Sequence, residues 1–221
     1  DALDAVICNA DVTHARTTLL KTGRGAPRLE PSCSGFALLL GAPQITPALA
    51  HHNIFFSRDY PAEFDAIFRR RVPPEDPTLY VCITSKTDPG HAPAGAENWF
   101  TLVNAPALSD AFDWSREGDG YAGRIRDAIR AGVPGAAGLA PVFEARLTPA
   151  SLDAMYGGNR GAIYGFSSNT RAAAFLRPGN RAPDIRGLYF AGGSAHPGGG
   201  VPLVTLSGIA AAACVMEDLS N

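Results

Sequence analysis

Residues 187–215 read Gly-Leu-Tyr-Phe-Ala-Gly-Gly-Ser-Ala-His-Pro-Gly-Gly-Gly-Val-Pro-Leu-Val-Thr-Leu-Ser-Gly-Ile-Ala-Ala-Ala-Ala-Cys-Val. Leu188–Ala191 has the composition of a short strand, Gly192–Gly200 is a glycine-rich loop, and a helix starts near Val201. Pro202 suits the first turn, because its φ is pre-set and the N–H it lacks would be unpaired there. Glycines let a backbone approach a ligand closely. A helix start offers free N–H groups and partial positive charge to an electron-rich ligand. The stretch therefore reads either as half of a nucleotide-cofactor cradle or as an ordinary buried strand–turn–helix, and spacing alone leaves both open. The helix, about Val201–Leu219, is apolar nearly all round until Glu217-Asp218, so it is expected to be buried against other elements.

Upstream, Asp4–Cys8 reads as a buried strand handing over through Asn9-Ala10-Asp11 to a helix ending near Leu20, with Asp11 as its N-cap. His14 in that helix suits a solvated or capping role. Lys21–Ser32 is a polar connector and a candidate boundary. Four strand-like runs follow, Ser34–Gly41, His52–Ser57, Thr78–Thr84 and Asn98–Asn104. A helix near Pro61–Arg71 carries Phe64, Ile67 and Phe68 at helical spacing and ends on Arg69-Arg70-Arg71, where cations suit the dipole. Asp110–Val133 is a second helix, with Trp114, Ala122, Ile125 and Ile129 on one face. Leu139–Leu147 reads as a strand, and Thr148-Pro149-Ala150-Ser151 caps a short helix to Met155.

The chain of 221 residues has room for one large domain or two small ones. Its 46% hydrophobic and 18% charged residues fit a globular core, and a net charge of −2 gives no draw toward nucleic acid. Cys8, Cys33, Cys82 and Cys214 are far apart, so reduced, intracellular thiols are expected rather than disulfides or a zinc cluster. His51-His52 suggests metal, but no third ligand lies at a sensible spacing, so no metal is expected. No apolar run is read as reaching transmembrane length, and no signal peptide is visible. The chain opens on Asp1 almost directly into a strand, as a piece of a longer protein would.

The order of elements predicts an α/β and α+β chain. Residues 1–30 and 156–221 belong to a cofactor domain, and residues 31–155 form a sheet-plus-helices substrate domain that interrupts it.

The run Gly187–Pro202 resembles the C-terminal flavin signature of the bacterial carotenoid desaturases, phytoene-desaturase-type flavoproteins that include the hydroxycarotenoid 3,4-desaturases. Cys8-Asn9-Ala10-Asp11, Val103-Asn104-Ala105-Pro106, Leu147-Thr148-Pro149, Gly161-Ala162-Ile163-Tyr164-Gly165 and Phe175-Leu176-Arg177-Pro178 resemble further family elements in the family's order. The resemblance implies the C-terminal part of a Rossmann-like FAD domain, as in amine oxidases, interrupted by a substrate domain. It implies carotenoid biosynthesis: an FAD-dependent dehydrogenase, an oxidoreductase acting on CH–CH bonds of a long apolar isoprenoid. It assigns Gly192, Gly193 and Ser194 to the flavin's phosphate and ribityl region, and Gly199, Gly200, Val201, Pro202 and Leu203 to the isoalloxazine ring. An acidic residue is frequent at the place of Ser194 in the wider flavin superfamily; a small one suits the desaturases.

The family's Gly-x-Gly-x-x-Gly followed by an acidic ribose ligand has no counterpart here, so the chain alone is expected to hold FAD weakly or not at all and to be inactive. Its missing N-terminal half is then a required partner. No catalytic residue is assigned: His196 as a base is outweighed by a loop-ordering role, because the flavin itself accepts the hydride. Phe36, Phe55, Phe56, Tyr80, Trp99 and Phe100 are candidates for a substrate tunnel or for core. An apolar substrate implies a cytoplasmic protein peripheral on the inner membrane. Two other readings remain, a redox-neutral carotenoid isomerase of the same superfamily and a non-catalytic lipid-binding module.

Overall fold

The computed structural model describes residues 3–21, 29–169 and 176–220. Phe175 and most of the Lys21–Ser32 connector lie outside the described residues. The chain divides into two compact units, one of residues 1–34 and 151–221 and one of residues 35–150. The expected boundaries at 30 and 155 thus fall at 34 and 150. The reason is local: Ser32 N–H donates to the Gly165 carbonyl at 2.9 Å, Ile163 N–H to Cys33 at 3.1 Å, and Ser34 Oγ to Gly161 at 2.5 Å. These bonds hold residues 32–34 to the first unit.

In the first unit, β1 (Val6–Cys8) runs parallel to β7 (Leu188–Phe190), with Cys8 opposite Phe190. Asp11 caps the helix after β1: its Oδ1 accepts from Thr13 N–H at 2.8 Å and His14 N–H at 3.2 Å. That helix, α1 (Val12–His14), continues as a π-turn over Ala15–Leu19. Val12, Ala15, Leu188, Phe190 and Ala195 form the unit's small core. Arg16 is buried beside it, its guanidinium carbon 5.2 Å from the Phe190 ring centroid and its Nη1 2.7 Å from Asp184. Strand β1 is not the buried strand expected, since Val6 and Ile7 are both exposed. Parallel sheets are ordinarily covered on both faces and flanked by further strands. Two described strands do not supply that cover.

The last helix, α5 (Val201–Ser220), corrects two expectations. Only Ser207 and Ala211 are buried on it, whereas Val201 is 79% and Met216 67% exposed, with Leu206, Ile209 and Leu219 also open. Composition shows that a helix wants cover, but not whether its own unit supplies any. By length and composition α5 also suffices to cross a membrane, although small and polar residues interleave its large apolar ones. Its far end is tied down by polar contacts: Arg181 Nε donates to Asp218 Oδ2 at 3.0 Å and the Tyr189 hydroxyl to the same oxygen at 2.8 Å.

In the second unit, five strands form one sheet in the order β3-β4-β5-β2-β6: β2 (Ser34–Ala42), β3 (His52–Phe55), β4 (Leu79–Cys82), β5 (Glu97–Ala105) and β6 (Phe143–Leu147). Alternation along β5 is complete, with Glu97, Trp99, Thr101, Val103 and Ala105 buried and the residues between them half-exposed. One face packs on α3 (Trp114–Gly132) through Phe36, Leu38, Tyr121, Ala122, Ile125 and Ile129. The opposite face carries Ile54 and Phe143, which are exposed, and Leu39, Tyr80, Phe100 and Leu102, which are partly buried. Helix α3 starts four residues later than expected because Asp113 is the cap, accepting from Ser115 N–H at 2.9 Å. Strand β6 starts four residues later than expected because Val133–Leu139 closes into consecutive turns.

The helix α2 (Tyr60–Phe64), extended by a π-turn over Asp65–Arg70, turns Glu63, Ala66 and Ile67 inward, leaving Phe64 half-exposed. Arg69 and Arg70 both pair with Asp65. A short helix, α4 (Pro149–Tyr156), leads back toward the first unit.

Candidate functional site

The parallel pairing of β1 with β7 sets both strand C-termini side by side, which is where ligands bind in open parallel sheets. The segments leaving there are Asn9–Asp11 and the loop 191–200. The loop is shaped by side chains outside it. Arg177, only 7% exposed, donates from Nη1 to the Gly193 carbonyl at 2.6 Å and the Tyr164 carbonyl at 3.3 Å. Its Nη2 donates to the Phe166 carbonyl at 2.8 Å and to Ser168 Oγ at 3.2 Å. Burial pulls this guanidinium below the usual arginine value. Asn180 Nδ2 lies within 3.3 Å of the carbonyls of Phe190, His196 and Ser207, joining β7, loop and α5. In the sequence Arg177 is read only as part of Phe175–Pro178, without a role, and Asn180 is not read at all; both sit in a polar, proline-bearing stretch.

The expected site residues divide into two groups. Gly192 packs against Asn9: a Cβ there would lie 2.8 Å from Asn9 Oδ1, and its N–H donates to Ser207 Oγ at 3.1 Å. Ser194 is buried, and its hydroxyl accepts from Val12 N–H at 2.9 Å, so it fastens α1 to the loop. Gly199 packs on Tyr164. By contrast the N–H groups of Gly193, Ser194, Gly199, Gly200 and Val201 have no hydrogen-bond partner among the described residues. Pro202 and Leu203 follow in the exposed first turn of α5. Unpaired backbone donors need water or a ligand, and a row of them at a helix start suits an electron-rich group. The residues present therefore fit the ring-facing end of a flavin cradle.

The His196 ring is exposed; its loop-ordering contacts are made by its backbone, the N–H to Pro178 at 2.7 Å and the carbonyl to Asn180. One Gly-x-Gly-x-x-Gly spacing does occur, Gly118–Gly123, but it lies inside α3, where no phosphate loop can form. A separate cleft of about 570 Å³ lies between α1 and the end of α4, lined by Thr13, His14, Thr17, Asp153 and Arg160 among others, and includes none of Gly192–Leu203.

Gly165 is where the Gly161–Gly165 segment meets the loop. Its φ is +70°, and a Cβ there would sit 2.7 Å from Ser194 Cα, a backbone atom that cannot swing away. Gly165→Ala should destabilise the first unit by about 2 kcal/mol through strain and clash together. Hydrogen exchange of the loop amides checks this, and unchanged protection would refute it.

The fold is similar to that of a larger solved protein. A crystal structure of an oxidoreductase from Methanosarcina mazei superposes over 100% of this chain and 44% of its own, with TM-score 0.56 and 16% identity. No family model matches the chain. It is 38% identical to the 1-hydroxycarotenoid 3,4-desaturase of Flavobacterium sp. (strain P99-3), over 92% of this chain and 42% of that protein. It is 39% identical to the 4,4'-diapolycopene oxygenase of Methylomonas sp., over 93% and 42%, and 35% identical to the zeta-carotene-forming phytoene desaturase of Myxococcus xanthus, over 92% and 40%. These relatives are carotenoid desaturases and an oxygenase, and the chain spans about two fifths of their length.

Proposed function

We propose that the chain is the part of an FAD-dependent carotenoid oxidoreductase that carries the flavin-ring end of the cofactor site and the substrate domain. The observation that carries this reading is the set of N–H groups of Gly193, Ser194, Gly199, Gly200 and Val201, unpartnered among the described residues and held at the C-terminal end of a parallel strand pair. FAD, when bound, would supply the redox chemistry as acceptor of one hydride, the second substrate hydrogen leaving as a proton. Gly199, Gly200 and Val201 present N–H donors, and with Pro202 and Leu203 they form the surface for the isoalloxazine ring. Gly193 and Ser194 supply donors for the ribityl–phosphate side, while Gly192 gives the turn its path. His196 acts through its backbone alone. A long apolar isoprenoid fits the open sheet face of Leu39, Ile54, Tyr80, Phe100 and Leu102 in the second unit, with Phe36 and Trp99 as core beneath it. The exposed apolar face of α5 supports cover by the rest of the family's length or contact with a membrane surface.

The chain titrated calorimetrically with FAD alone should show no binding in the micromolar range, because its described residues offer no loop for the ADP half. Joined to the length of a relative that it does not span, it should bind FAD and oxidise a carotenoid. Tight FAD binding by the chain alone would overturn the split-cradle reading. The relatives' names include both desaturases and oxygenases, and product mass separates the two: loss of two hydrogens, or gain of oxygen. An unchanged mass with altered double-bond geometry would replace both with the isomerase.

A further inference from the structure

We propose that His51, His52 and Cys82 form a three-ligand site for a borderline-soft divalent metal ion of zinc's class. Each offers one donor atom within 4.8 Å of the other two. The third ligand is hidden in the sequence, because Cys82 lies thirty positions downstream and only sheet register delivers it. In the antiparallel pairing of β3 with β4, His52 stands directly opposite Cys82, so both side chains leave the same face. His51, just before the strand, brings its ring centroid to 4.3 Å from that of His52.

The donor chemistry is selective. Two imidazoles and a thiolate suit zinc, whereas calcium and magnesium require oxygen ligands. Tetrahedral bonds of 2.0–2.3 Å would place the donors about 3.3–3.8 Å apart, so side-chain rotation of roughly an ångström closes the site. Hydroxyl groups flank both rings: Thr87 Oγ1 is 2.6 Å from His51 Nδ1, and the Tyr80 hydroxyl is 2.9 Å from His52 Nδ1. Such neighbours orient ligating histidines. Strand β3 is an edge strand and His52 is exposed, so an ion has an entry path. Binding converts the Cys82 thiol to thiolate and releases one proton for each ion bound.

The test uses the whole chain, reduced with a phosphine and freed of metal, titrated with Zn²⁺ against a competing chelator and with Co²⁺ as an optical probe. One ion per chain is expected, with micromolar or tighter affinity and a thiolate-to-cobalt charge-transfer band. Cys82→Ser should abolish that band and weaken Zn²⁺ at least about tenfold, and His52→Ala should weaken it to a similar extent. Cys8→Ser and Cys214→Ser should change neither. His52 is exposed, so its variant is expected to fold, and a metal-free melting curve verifies that. Absence of stoichiometric binding, or a band and affinity that survive Cys82→Ser, would overturn the proposal.

Discussion

Glu97→Ala should destabilise the second unit by about 4 kcal/mol, as expected when one member of a buried ion pair is removed. Glu97 is 2% exposed at the start of β5. Its Oε1 accepts from Thr46 N–H at 2.9 Å and faces Lys86 Nζ at 2.6 Å. Its Oε2 accepts from Thr46 Oγ1 at 2.6 Å and Trp99 Nε1 at 2.9 Å. One carboxylate thus satisfies three donors and one cation from three separate segments. Alanine leaves the Thr46 and Trp99 donors unpaired and Lys86 with its contact to the Thr46 carbonyl at 2.6 Å but no counter-charge from Glu97. Chemical denaturation followed by Trp99 and Trp114 fluorescence measures the loss, and a change below about 1 kcal/mol would refute it.

The same group sets an acid dependence. Burial by itself raises the Glu97 carboxyl, but the bonds from Lys86, Thr46 and Trp99 outweigh it, and the net value lies below the usual glutamate range. A depressed folded-state value means the stabilisation is complete above the unfolded value, about pH 4.3, and is lost as pH falls through the folded one. The wild-type unit should therefore lose stability below about pH 4.3, and Glu97→Gln should show a flatter acid limb.

The second large effect concerns Arg177. Arg177→Met should destabilise the first unit by about 3 kcal/mol, since bonds from a charged donor contribute about 1.5–3 kcal/mol each and a methionine recovers part of the packing. Loop amides around Gly193 and Ser194 should exchange faster. Arg177→Lys should lose nearly as much, because one ammonium cannot fork to Gly193, Tyr164 and Phe166 at once. A lysine variant with wild-type protection would show that charge rather than fork geometry holds the loop.

Much of the framework was legible because it is local. Asp11 before an apolar turn, the alternation of β5 and the Gly–Pro punctuation around Val201 each specify an element from a few neighbours. The resemblance in Gly187–Pro202 located the candidate cradle for the same reason. The features that escaped reading are relations between distant positions. Arg177 stands in a recognised stretch but its contacts, like those of Asn180, are invisible until the chain folds back on them. Glu63 and Glu97 look like surface charges, although Glu63 is buried and bonded to Thr78 N–H and hydroxyl. Cys82 meets His52 only through strand register. Helix α5 is a different case: its apolar composition predicts burial, the described residues leave it largely exposed, and no composition states where cover comes from.

Arg177 and Asn180 share one property. Most of their partners are main-chain carbonyls, of Gly193, Tyr164, Phe166, Phe190, His196 and Ser207. Those acceptors survive any side-chain replacement that leaves the chain path intact. The loop is therefore editable in identity and rigid in trajectory. A redesign of cofactor or substrate preference has free choice at outward positions such as His196, provided that the two carbonyl-binding side chains and the tight glycines at 165 and 192 are kept.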